Sequence, residues 1–134
     1  MKIKYSEKIL SDDHAFGFIL NVMETQRVEQ LGRKIWKGMD DEIIFNYGYM
    51  LVSRPQLHTV YGKARIVEAF YQYFMFGAIK GEIQSSHFEK IKKASTFAKK
   101  IVNESIENNQ KTSWIEKNVT QIIKILEIDS LLTI

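Results

Sequence analysis

IVEAFYQYFMFGAI, residues 66–79, decides how this chain folds. Only Glu68, Gln72 and Gly77 in it are not apolar, and five aromatic rings fall between Phe70 and Phe76. A helix apolar on nearly every side has to be enclosed, by the rest of its own chain or by a second copy. Arg65 and Lys80 bracket the run, which falls short of the roughly 20 apolar residues a bilayer span needs. The expectation is a central, protein-enclosed helix over residues 63–79. Arg65, Glu68 and Gln72 lie on it as one narrow polar line at i, i+3, i+7. That line reads as the helix's wetted edge, with Arg65 and Glu68 paired, and less readily as a buried polar site or pocket floor. Gly81 is placed to close the helix, with Lys80 at the negative end of its dipole.

On the N-terminal side, Pro55 ends the preceding element and opens a loop over residues 54–62. That element, IIFNYGYMLV, fits two periods. Ile43, Ile44, Tyr47, Met50 and Leu51 make a helical face, whereas Ile43, Phe45, Tyr47, Tyr49 and Leu51 alternate as in a strand. Asp40, Asp41 and Glu42 at its start favour the helix. Further upstream, Ser11, Asp12 and Asp13 offer an N-cap to a helix whose face is Phe16, Ile19, Leu20 and Met23. A second trio, Val28, Leu31 and Ile35, sits roughly 100° round from the first on an ideal helix. A kink, or two helices meeting at Glu24-Thr25-Gln26-Arg27, is therefore expected, with a stop near Gly38. Residues 1–10 read as an extended or disordered arm.

Two S-x-x-E capping boxes, Ser86-His87-Phe88-Glu89 and Ser113-Trp114-Ile115-Glu116, announce the last two helices. The first carries Phe88, Ile91, Ala94, Ala98, Ile101 and Val102 on one face and ends near Asn108-Asn109. The second carries Ile115, Val119, Ile122 and Leu126, and its apolar tail, residues 128–134, is expected to pack. The sum is an all-α fold, five or six helices in an irregular bundle or orthogonal array around the central helix, in one domain over residues 1–134.

At 134 residues and 45% hydrophobic, the chain is long enough for a core without staples. It has no cysteine, so disulfide frameworks, thiolate metal sites and thiol catalysis are excluded. No apolar segment follows the N-terminal lysines, which argues against a signal peptide and for a soluble, cytoplasmic protein. Four arginines among nineteen basic residues, with abundant Ile and Asn, fit an AT-rich coding genome, bacterial or phage.

Chemistry-bearing patterns are sparse. His14, His58 and His87 share no ligand spacing, and both acidic clusters coincide with predicted helix starts, where the dipole accounts for them. No phosphate loop, dinucleotide fingerprint or nucleophile elbow occurs. No metal, cofactor, small-molecule substrate or catalytic residue is therefore expected. The strongest charge feature is a stretch with six lysines between residues 80 and 100, against Glu82 and Glu89. Lys90, Lys92, Lys93, Lys99 and Lys100 would line one side of a helix over residues 86–107, a surface suited to phosphates. Yet no arginine follows residue 65 to read guanine edges. The leading expectation is a non-enzymatic helical interaction module, a small regulator or inhibitor that binds another protein and itself, as a homodimer. Its predicted surface combines Tyr71, Tyr73, Phe74 and Phe76 on the central helix with Tyr61 in the loop after Pro55. The alternative is a nucleic-acid-binding regulator that uses the lysine helix.

Overall fold

The structure, a computed structural model, describes the backbone of residues 2–36 and 38–128, and the side chains of 15–36, 38 and 41–128. Among the described residues five α-helices follow one another: α1 (Lys2–Ile35), α2 (Met39–Ser53), α3 (Lys63–Phe76), α4 (Ser85–Glu107) and α5 (Thr112–Leu126). A single 3₁₀ turn, Leu57–Thr59, interrupts the connection between α2 and α3. No strand occurs among the described residues, so the helical reading of IIFNYGYMLV is the correct one. The architecture is the expected all-α bundle. α1 packs on α3, α4 and α5, α3 on α4, and α4 on α5, while α2 leans on α3 and the end of α1.

α1 departs most from expectation. It runs 34 residues without a break, about 50 Å at 1.5 Å per residue, and replaces both the arm over 1–10 and the kink at 24–27. Ser11, Asp12 and Asp13 thus lie inside a helix and not at its start. The kink was inferred because the apolar face jumps, but the buried stripe does not jump. It runs Ile19, Val22, Met23 and then Gln26, a glutamine that is buried with them. Gln26 donates to the Tyr47 hydroxyl at 3.2 Å and to Met75 Sδ at 3.4 Å. Val28 and Ile35, the supposed second face, are exposed. Along the outer side Glu24 pairs with Arg27, and Glu24 also accepts from the Thr112 hydroxyl at 2.9 Å, tying α1 to the start of α5. The Arg27 guanidinium, then Thr112, hold the Glu24 carboxyl below its usual range.

α3 ends three residues earlier than predicted. Gly77 takes the left-handed conformation (φ 76°), and its N–H donates to Tyr73 O at 2.9 Å. Gly77 is the first residue after the aromatic run that can adopt it without a Cβ clash, so the helix stops there. Gly81 serves another purpose. With φ 108° it lets the chain pass so near Leu57 that a Cβ would stand 3.4 Å from the Leu57 nitrogen. Leu57 N–H then donates to Lys80 O at 2.8 Å.

The faces of α4 and α5 are as read. Ile91, Ala94, Ala98, Ile101 and Val102 from α4, and Ile115, Val119, Ile122 and Leu126 from α5, are all buried, while Phe88 of the α4 face is half-buried. Their starts are not. α4 begins after Gln84 and α5 after Lys111, and neither helix has a side-chain cap bond, so both capping boxes go unused. Ser86 and Ser113 already lie in the first turn, where the hydroxyl is past the orphan N–H groups it would need. Of the tail, Ile128 is buried and residues 129–134 lie outside the described residues.

Candidate functional site

The polar line on α3 is buried, not wetted. Glu68 is 8% exposed and Gln72 fully enclosed. Glu68 pairs with Arg54, at the end of α2, through a two-pronged contact whose Nε limb is 2.9 Å. The predicted partner, Arg65, instead donates to Val60 O at 2.7 Å and reaches His58 O. Gln72 donates to Glu68 at 2.9 Å and to Pro55 O at 3.1 Å, and it accepts the Lys80 N–H at 2.7 Å. Lys80 Nζ caps α2 by donating to Val52 O at 2.7 Å and Arg54 O at 2.8 Å. The network satisfies its members mutually and clasps the end of α2, the Pro55 loop and residue 80 onto α3. A cleft of about 420 Å³ between α1 and α3 borders Arg54 and Glu68, with Phe18, Val60 and Val67 on its apolar wall. Arg54 and Glu68 are already spent on each other, and Lys63 also lines the cleft.

The aromatic side chains expected on an outward wall of α3 are turned inward. Phe74 is in the core, and Tyr71, Tyr73 and Phe76 are half-buried against it. Their rings engage neighbours at 5.4–5.5 Å: Tyr71 with Phe18 and Phe76, Tyr73 with Phe88, and Phe76 with Tyr47. The Arg54 guanidinium covers Tyr71 at 4.8 Å, and burial pushes the Tyr71 phenol pKa up. Tyr61, 81% exposed, alone among the five stands clear.

The outward apolar surface belongs to α2. Among its described side chains Ile43 is buried, Tyr47 and Leu51 are half-buried, and the rest face out. Ile44 is 61% exposed, Phe45 75%, Tyr49 70% and Val52 74%. Tyr47 fixes the inner side through Phe76, Gln26 and a contact with Glu29; burial first, then Glu29, raises its phenol pKa well above normal. Just ahead of α2, Ile35 and Trp36 are exposed as well. Sequence reasoning expected the outward apolar wall on α3, and the exposed apolar side chains stand on α2. The missed signal was that Phe45, Tyr49 and Val52 share a face with Asp41 and not with Ile43.

The lysine face of α4 is largely balanced by carboxylates. Lys90 pairs with Glu127 at 2.6 Å, Lys92 with Glu89 at 3.1 Å and Lys100 with Glu104 at 4.0 Å. Lys92 also sits over the Phe88 ring at 5.2 Å. Lys93 and Lys99 are exposed, and among the described residues neither meets a carboxylate. Among the described residues no group of three His, Asp or Glu could hold a metal ion, and no helix is long and apolar enough to cross a membrane. Comparisons with family models, with curated proteins and with solved structures found no match to this chain.

Proposed function

We propose that this chain is a non-enzymatic helical docking module, a regulator or inhibitor, that binds another protein through the outward face of α2. One observation carries the reading. α2 buries Ile43 while leaving Ile44, Phe45, Tyr49 and Val52 more than 60% exposed. Contiguous apolar surface beyond a few hundred Å² is rare on a protein that stays alone, and it marks interaction sites. Aromatic side chains at its centre are the kind that anchor interfaces. The clasp made by Arg54, Glu68, Gln72 and Lys80 supports the reading, because it fastens the C-terminal end of α2 without drawing its outer face inward.

A photo-crosslinking residue placed at Phe45 or Tyr49, with controls at the exposed Lys93 and Lys117, tests it in cells. Protein adducts, including adducts to this chain itself, are expected from the two α2 positions and not from the controls. Adducts distributed equally over all four positions, or none from α2, would sink the reading.

A further inference from the structure

Asp41, Phe45, Gly48 and Val52 follow one another at i, i+4, i+7, i+11, the spacing of a helix seam, on the side of α2 opposite the buried Ile43. Ile44 and Tyr49 flank them. Gly48 is the gap in this seam. A Cβ built there would meet nothing within 4 Å, so the notch opens outward between Phe45 and Val52. A large side chain from a facing helix fits into such a notch, and two backbones can approach closely across it.

The two ends of the seam carry opposite charge. Asp41 and Glu42 are exposed at the N-terminal end. At the C-terminal end stands the Lys80 ammonium, held there by Val52 O and Arg54 O, while the Arg54 guanidinium is neutralised by Glu68. From this we infer that α2 pairs antiparallel with the α2 of a second copy of this chain, about a two-fold axis near Gly48. The inference rests on the docking reading of α2 and names its occupant. Two-fold pairing requires one patch to complement itself. With the axis at Gly48, the Asp41 and Glu42 end of each helix lies beside the Lys80 ammonium of the other copy, and Ile44 lies opposite Val52. A parallel pair would instead bring acid against acid, with the helix dipoles aligned side by side.

Surface area is consistent with this occupant. Scaled by exposure, Ile44, Phe45, Tyr49 and Val52 present on the order of 600 Å², against about 800 Å² per partner in a standard interface. A lipid surface fits less well. Helices that lie on membranes carry Lys and Arg along their polar borders, and here the border is Asp41, Glu42 and Asn46.

Because the chain has no cysteine, single introduced cysteines report the geometry cleanly. Under mild oxidation Gly48→Cys should form a disulfide with its own kind. Glu42→Cys mixed with Ser53→Cys should cross-link, whereas Glu42→Cys alone should not. In sedimentation equilibrium the wild-type chain should be a dimer. Phe45→Glu, and independently Val52→Lys, should weaken the dimer about a hundredfold or more while leaving the far-ultraviolet dichroism unchanged. A wild-type chain that stays monomeric at every concentration, or Glu42→Cys cross-linking to itself, overturns the pairing. So does α2-dependent flotation with vesicles of phosphatidylglycerol and phosphatidylcholine. A monomer whose Phe45 photo-probe still labels a different protein overturns the pairing and leaves the docking reading standing. A monomer with no α2 adduct removes both.

Discussion

Gln72 shows how much of this protein hangs on single polar atoms inside an apolar helix. It is fully buried, and both ends of its amide are used: the nitrogen on Pro55 O and Glu68, the oxygen on the Lys80 N–H. Replacing it with leucine of similar bulk keeps the packing but leaves a backbone donor, a backbone carbonyl and part of a carboxylate without their partner. Gln72→Leu should therefore cost about 2–4 kcal/mol, read as a shifted midpoint in urea denaturation with unchanged slope. A loss below about 0.5 kcal/mol would mean that the bonds of this buried amide do not carry stability. At this scale the sequence was legible in part. The line Arg65, Glu68, Gln72 is visible in the spacing, and its status as a polar site was one of two readings. The partner was not legible, because Arg54 reaches Glu68 through a turn around Pro55 that helical spacing rules do not describe. Gln26 failed to register for the same reason. A glutamine on a core face looks like an interruption until its acceptors, Tyr47 and Met75, are known.

Among the elements, periodicity served well for faces and poorly for ends. Every apolar position assigned to α5 is buried, because four residues at i, i+4, i+7, i+11 admit only one inward side. Starts depend on a few hydrogen bonds, and here the S-x-x-E motifs were mistaken for them. α5 begins instead behind Lys111, an extended residue in N-cap position that offers no acceptor and sets a cation near the positive end of the dipole. Lys111→Asp should therefore stabilise the protein by about 1 kcal/mol, whereas Ser113→Ala should change it by less than about 0.5 kcal/mol. Thermal unfolding of both variants checks this. A loss of about 1 kcal/mol in Ser113→Ala would show that the capping box forms after all. For α3 the error was the stop. Two glycines four residues apart could each end a helix, and the pattern alone does not say that Gly81 is needed against Leu57.

For the whole molecule the decisive question was which of two apolar helices the others enclose, and composition does not answer it. Both α2 and α3 are apolar on most sides. α3 is taken up because α1 and α4 offer long complementary faces that close on Phe70, Phe74 and Met75. α2 arrives with one good inward residue, Ile43, and is held by Tyr47 and by the Arg54 and Lys80 clasp beneath its C-terminal end. A helix attached by so little buried apolar area opens locally at a smaller cost than the helices of the core. Hydrogen exchange should reveal this directly. In dilute solution α2 amides should exchange at least about a hundredfold faster than those of α4 and α5. Raising the protein concentration should slow exchange in α2 alone, because association adds protection only where the second copy sits. In Phe45→Glu the fast exchange should persist at every concentration, with α4 and α5 as protected as before. Uniform protection across all five helices in dilute solution would mean that α2 is stabilised within its own chain. Its apolar surface would then need no partner to account for it.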